Sequence, residues 1–203
     1  GRCWRGGEGD IANTALPFAA DVLGDSIPEL ICGNTIYGVN IVSRTNVSLN
    51  SVTELKTISI PSRIPQDGNV AVADFNKDGR LDVLVVIDVT KSEVLDSTYF
   101  YVYDPVTENI LFTHGRYALA TGFPLVGDID GDGNLEIVYI DKQNQASNAR
   151  VVAVTYDPVE GAHIKWQTPH ADEPGQTSMT LFDFNQDGIM EIVYRDMENL
   201  RII

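Results

Sequence analysis

The sequence predicts an all-β fold made of β-propeller blades, each of four antiparallel strands, and three observations carry that prediction. Segments of the chain recur at an even spacing, apolar residues alternate in short runs bounded by turn residues, and helical periodicity is nearly absent.

The repeat comes first. Val70–Val85, Pro124–Tyr139 and Met179–Tyr194 are close copies of one another, and Phe18–Ile31 is a worn copy. Their leading aspartates, Asp21, Asp74, Asp128 and Asp183, are separated by 53, 54 and 55 residues. A second feature keeps the same step: Tyr103-Asp-Pro-Val106 followed by Ile110-Leu-Phe112 matches Tyr156-Asp-Pro-Val159 followed by Ile164-Lys-Trp166. Each reads as a hairpin turned by Asp-Pro. Strands are expected to leave the acidic loops over Leu81–Ile87, Leu135–Ile140 and Met190–Tyr194, with hairpin strands at Arg150–Tyr156 and His163–Gln167. Four short strands per unit is the pattern of a propeller blade, and a lone blade cannot bury both faces, so blades pack side by side around an axis. A solenoid of stacked hairpins is the alternative architecture. The repeat region spans residues 13–203, and residues 1–12 form an N-terminal extension or the end of a preceding blade. The last copy is expected to stop at Ile203, early in its second strand, so the chain reads as a piece of a larger propeller.

Composition narrows the function. The 203 residues carry 29 acidic and 14 basic side chains, for a net charge of −15, with 43% apolar and 21% charged residues. That apolar share excludes a disordered acidic tail. The acidity excludes a general nucleic-acid binder, which needs clustered Lys and Arg. No uncharged apolar stretch approaches the roughly 18 residues of a membrane-spanning helix, so membrane insertion is not expected. Two cysteines, Cys3 and Cys32, make neither a metal framework nor a disulfide scaffold; they pair if the protein is exported, or stand as free thiols. The opening Gly1-Arg-Cys-Trp-Arg5 lacks the apolar segment of a signal peptide, which was either removed or never there. The sequon Asn46-Val-Ser48 matters only in a eukaryotic secretory protein.

The acidic loops read as cation sites. Asp74, Asn76, Asp78, Gly79 and Asp82 occupy positions 1, 3, 5, 6 and 9 of the first good loop; Asp128, Asp130, Asp132, Gly133 and Glu136 repeat them, as do Asp183, Asn185, Asp187, Gly188 and Glu191. Alternate oxygen-bearing side chains in a tight loop converge on one point, and the glycine permits the positive φ that turns the backbone inward. The position 7 carbonyls of Arg80, Asn134 and Ile189 supply a further oxygen. An all-oxygen set selects a hard cation, and flexible ligation favours Ca²⁺ over Mg²⁺. The loops are not EF-hands, because position 12 holds Val85, Tyr139 and Tyr194 where that motif needs a bidentate Glu. Three divalent ions would move the net charge from −15 to −9 and relieve the repulsion among ten crowded carboxylates. The bland reading, that Asp, Asn and Gly are ordinary turn formers, explains one such loop better than three in register. In the worn copy Asp21, Asp25 and Glu29 keep positions 1, 5 and 9, but Leu23 replaces the position 3 ligand and Ser26 the glycine, so a weak or empty site is expected there.

Signals for catalysis are sparse. His114, His163 and His170 are the candidates for proton transfer near neutral pH, yet no two fall at zinc-ligand spacing and no nucleophile motif accompanies them. Trp4 and Trp166, with Tyr99, Phe100, Tyr101 and Tyr103, suggest either a sugar-stacking platform or, for the alternating run 99–103, packing between blades, and packing is the better reading. Lys142–Ala149 reads as a polar hairpin loop.

Through these loops the chain resembles the FG-GAP/VCBS repeat family, the calcium-loop blades also seen in integrin α-subunit propellers. The resemblance covers nearly the whole chain after Asn13. It implies a propeller of about seven blades, within the known range, and three Ca²⁺ sites bracing the blade loops. The ligand roles it implies fall on the ten carboxylates with Asn76 and Asn185. It further implies an extracellular or cell-surface protein. The resulting expectation is a non-catalytic module that mediates adhesion or recognition of a protein or glycan ligand on a loop face. The alternative is the propeller domain of a polysaccharide lyase or glycoside hydrolase.

Overall fold

Fifteen strands and one turn of 3-10 helix form the regular structure of the described residues, 17–59, 68–89, 97–116, 119–142, 149–157, 161–169, 179–196 and 199–203 of the computed structural model. The first sheet runs β1 (Phe18–Ala20), β2 (Glu29–Cys32), β3 (Thr35–Asn40) and β4 (Ser51–Thr57), with the 3-10 turn Val47–Leu49 before its last strand. The second holds β5 (Asn69–Ala73), β6 (Asp82–Val89), β7 (Ser97–Tyr103) and β8 (Ile110–Arg116). The third holds β9 (Leu119–Gly127), β10 (Glu136–Lys142), β11 (Ala149–Asp157) and β12 (Gly161–Pro169). The fourth holds β13 (Met179–Phe182), β14 (Glu191–Arg195) and β15 (Leu200–Ile202). Every sheet is a meander, with strands neighbouring in chain order.

Each acidic loop joins the first strand of a sheet to the second, and the register is the same four times. The position 9 acid pairs with the residue immediately before the position 1 aspartate: Ala20↔Glu29, Ala73↔Asp82, Gly127↔Glu136 and Phe182↔Glu191. Because side chains alternate faces along a strand, a shared register gives all four loops the same seat on their sheets.

One expectation needs correcting. The last sheet does not end early in its second strand: β14 is complete and β15 pairs with it through Val193↔Ile202, Tyr194↔Arg201 and Arg195↔Leu200. The turn between them is held by Asp196, whose carboxylate accepts from Asn199 N and from Arg201 Nε. The expected extension at 1–12, Cys3, Trp4, the loop segment 143–148 and His170 lie outside the described residues.

The chain divides into two compact units, residues 1–87 with 101–111, and residues 88–100 with 112–203. In the first, β1 lies against β5. Tyr101 and Tyr103 are fully buried there and stacked, and the Tyr103 hydroxyl donates to the Gly33 carbonyl in the turn between β2 and β3. Lys56 of β4 reaches the Pro105 carbonyl and the Glu108 carboxylate at the Asp-Pro turn. In the second unit β9 lies against β13, and Ile129, Val138, Ile140, Val151, Ala153, Ile192 and Tyr194 form one core, with Leu125, Trp166, Met179 and Leu181 packed on it. A Cβ on Gly127 would stand 2.3 Å from Leu181 Cδ2, so the Leu181 side chain would have to shift to admit one between β9 and β13. Burying each such apolar side chain contributes about 1.5–3 kcal/mol.

The aromatic run is therefore core: Phe100, Tyr101 and Tyr103 are all buried, and Phe100 meets the Tyr139 ring edge-on. Side-chain placement of Tyr99 lies outside the described residues. The hairpin tyrosines repeat a device, since Tyr103 reaches the first sheet and Tyr156 stacks on Phe112 with centroids 4.5 Å apart.

Candidate metal-binding loops

Four loops of different sequence share one hydrogen-bond scheme. The position 1 aspartate accepts the position 6 N–H: Ser26, Gly79, Gly133 and Gly188 donate to Asp21, Asp74, Asp128 and Asp183 at 2.8–2.9 Å. The position 5 aspartate accepts the position 7 N–H, from Ile27, Arg80, Asn134 and Ile189 to Asp25, Asp78, Asp132 and Asp187. The position 9 acid accepts the position 2 N–H, from Val22, Phe75, Ile129 and Phe184 to Glu29, Asp82, Glu136 and Glu191. Two residues per loop take left-handed backbone, at position 4 (Gly24, Lys77, Gly131, Gln186) and at position 6 (Ser26, Gly79, Gly133, Gly188). The position 6 glycine is the feature the spacing predicts. The position 4 requirement has only a faint signal in the glycines at 24 and 131.

With one oxygen of the position 5 and 9 acids held by backbone, the other is left for a further partner. In the loop at 183–191, Asp187 Oδ2 and Glu191 Oε1 both accept from Asn185 Nδ2 at 3.0 Å. In the loop at 74–82, Asn76 Nδ2 donates to Asp78 Oδ2, and Arg80 turns its guanidinium onto Asp78 and toward Asp104. In the loop at 128–136 the inward donor comes from another strand. Lys165 Nζ of β12 lies 2.5 Å from Asp130 Oδ2, 2.8 Å from Asp132 Oδ2 and 3.2 Å from Glu136 Oε1.

Carboxylate oxygens of Asp128, Asp130 and Glu136 lie within 4.8 Å of one another, and so do those of Asp21, Asp25 and Glu29. The worn loop thus keeps converging carboxylates despite Leu23 and Ser26. Position 3 is an asparagine in the loops at 74–82 and 183–191, and there its Oδ1 accepts the position 5 N–H while its Nδ2 faces the acids. In the loops at 21–29 and 128–136 the close-spaced carboxylate oxygens, with no sulfur or imidazole among them, fit a hard divalent cation.

The electrostatics agree with a demand for positive charge. Burial pushes Asp82 up to about 6 against the N–H groups of Asn76 and Phe75, with Asp104 and Asp78 adding repulsion. In the loop at 128–136 the Lys165 ammonium, together with Asn134 N–H, holds Asp132 below the ordinary carboxylate range. Burial would lower Lys165 itself, but its bonds to Asp130, Asp132 and Glu136 win and hold it well above the usual lysine value.

Sequence reasoning missed Lys165. Its signal was a mismatch between repeats: Ile164-Lys-Trp166 carries lysine where Ile110-Leu-Phe112 carries Leu111. The two described histidines lie in the sheets. His114 stacks on Phe100, and His163 Nδ1 lies 3.2 Å from the Gly161 carbonyl of its own turn. Trp166 packs on the core of the second unit. Asn46 is exposed and caps the 3-10 turn, accepting from Ser48 N and Oγ. Cys32 is buried and disulfide-bonded; Cys3, the other cysteine of the chain, lies outside the described residues.

Comparison with known proteins agrees with the repeat. Neither a curated protein nor a solved structure matches the chain. The family model of the FG-GAP-like repeat matches residues 21–85 and 128–194, which take in all four acidic loops but the one at 74–82 only as the end of the first match. These matches cover well over half of the sequence, and the chain belongs to the family of FG-GAP-like repeats.

Proposed function

We propose that the chain is a non-catalytic, calcium-binding β-propeller module of an exported or surface-associated protein, and that it mediates adhesion or recognition of a protein or glycan ligand. The four sheets are its blades. Calcium is structural: it binds the loops at 74–82, 128–136 and 183–191 and braces the turn between the first two strands of each blade. The observation that carries this reading is the shared loop scheme, in which backbone N–H groups fix one oxygen of the position 5 and 9 acids and leave the other for a central positive group. Asp74, Asn76, Asp78 and Asp82 would hold one ion. Asp128, Asp130, Asp132 and Glu136 would hold a second, and Asp183, Asn185, Asp187 and Glu191 a third. The carbonyls of Arg80, Asn134 and Ile189 complete the sets. Flexible all-oxygen ligation suits calcium at the millimolar concentrations found outside cells, which also favours an exported protein. No helix among the described residues is long and apolar enough to cross a membrane.

The non-catalytic reading rests on the described histidines, His114 and His163, being engaged by Phe100 and by the Gly161 carbonyl. Thermal unfolding in millimolar CaCl₂, in MgCl₂ and in EDTA tests the calcium role. Each site saturated at about 100 times its Kd adds about 2.7 kcal/mol, so the melting temperature rises with calcium and little with magnesium. An unchanged melt in calcium would overturn the reading.

A further inference from the structure

We propose that Lys165 is a tethered counter-ion of the loop at 128–136, seated where a divalent cation would sit, so that this loop stays formed without metal and binds it more weakly than its counterparts. The inference rests on the calcium reading above. The ammonium lies 2.5, 2.8 and 3.2 Å from oxygens of Asp130, Asp132 and Glu136, the inward-turned oxygens a metal ion would need. A lysine ammonium and a divalent ion cannot share a site of this size without strong repulsion, so one must leave before the other enters.

The sheet explains how a lysine reaches the loop. In the pairing of β11 with β12, Ala153 faces Trp166 and Val154 faces Ile164, which leaves Lys165 as the extra residue of a β-bulge. A bulge kinks the strand and re-aims the side chain of the unpaired residue. The first sheet carries a bulge at the same place: Ile36 faces Lys56 and Tyr37 faces Glu54, leaving Leu55 unpaired. The residue in that seat is therefore leucine in the first sheet and, by the repeat, Leu111 in the second. Of these three sheets the third alone puts a cation there, and its loop is the one with four carboxylates, Asp130 replacing the asparagine of the loops at 74–82 and 183–191. The extra acid and the lysine match in charge.

The position 6 glycines, Gly79, Gly133 and Gly188, let each loop be read separately by ¹⁵N–¹H NMR of the full chain titrated with CaCl₂. In the unaltered protein the Gly133 amide is expected to shift at calcium concentrations about tenfold or more above those that move Gly79 and Gly188. In Lys165→Gln the Gly133 midpoint falls by about tenfold or more, the other two hold, and Lys165→Arg restores the weak binding. In EDTA the same Lys165→Gln protein melts several degrees lower, a readout independent of metal. Lys165→Leu, which installs the residue of the neighbouring repeats, serves if the glutamine variant fails to fold. A Gly133 midpoint unmoved in either variant, while Gly79 and Gly188 titrate normally, overturns the proposal and leaves the calcium reading standing. If no loop glycine responds to calcium in any variant, the calcium reading falls and takes the competition with it.

Discussion

In the loop at 21–29 a leucine and a serine stand where the loop at 128–136 has an aspartate and a glycine, yet the two make the same four contacts. In both, the position 1 aspartate accepts from positions 4 and 6, the position 5 aspartate from position 7, and the position 9 glutamate from position 2. In both, positions 4 and 6 are left-handed. Three acids and two backbone conformations therefore define the loop, and the position 3 ligand is free to vary with whatever the loop must hold. The glycine is even portable: the worn loop keeps one at position 4, Gly24, and asks Ser26 to take φ 70 at position 6.

The comparison breaks first at position 9. Glu29 and Glu136 are both buried. Glu29→Ala strands the Val22 and Leu23 N–H groups, and a cost of about 2 kcal/mol follows from losing a buried acceptor. Glu136→Ala strands the Ile129 N–H and also takes a carboxylate from Lys165, so it costs more, about 3 kcal/mol. Urea unfolding of the two variants in EDTA reads the difference; equal losses would mean that Lys165 adds nothing to the stability of its loop.

Metal sharpens the same contrast. With calcium saturating, Asp183→Asn is expected to lose about 2.7 kcal/mol of calcium-dependent stability. Asp21→Asn loses much less, because Leu23 offers no oxygen at position 3. The comparison is made as the difference between melts in calcium and in EDTA, which cancels the hydrogen bonds both aspartates make in the absence of metal. An equal calcium-dependent loss would show the worn loop to be a full site.

Backbone strain gives a smaller effect of opposite sign in the two kinds of loop. Gly188 has φ 90 with open space around its would-be Cβ, so Gly188→Ala costs about 1–2 kcal/mol from conformation alone. Ser26→Gly relieves a left-handed serine and is expected to stabilise by up to about 1 kcal/mol. Thermal unfolding checks both, and a destabilised Ser26→Gly would mean that the serine is held for more than its backbone.

These loops also show what was legible beforehand. The antiparallel sheets were, because the repeat writes its strands as alternating apolar residues and its turns as Asp, Asn, Gly and Pro at fixed offsets. The position 1, 5 and 9 acids were readable for the same reason: they act within nine residues. Lys165 was not, because it reaches the loop across β11 from a bulge whose location no local pattern announces. β15 was missed because Leu200-Arg-Ile202 is too short to alternate, and its turn is held by a buried Asp196 instead of by glycine or proline. The worn loop looked more damaged than it is because Ser26 takes the left-handed backbone of the missing position 6 glycine.

The last contrast separates two acids of the first unit by pH. Burial alone would raise Asp104, but hydrogen bonds from Thr107 and Val106, with the nearby Arg80 charge, outweigh it and hold the carboxyl below its ordinary range. A folded-state value below the unfolded one means that the native state binds this proton less tightly. Its stabilisation is present above the ordinary carboxylate pKa, near 4, and is lost as pH falls through the lower folded value. Asp82 has the opposite sign: at about 6 its native carboxyl holds the proton more tightly than the unfolded chain does. Its contribution is full below about 4 and disappears as pH rises through 6. The metal-free protein is therefore expected to gain stability from Asp82 on acidification from pH 7 to 5, and to lose that from Asp104 only below pH 4. Asp104→Asn should flatten the acid limb and leave the upper one intact, and Asp82→Asn should do the reverse. Urea midpoints across pH 3–7 in EDTA measure both limbs, and the loss of both limbs to either substitution alone would show that the two acids titrate as one coupled group.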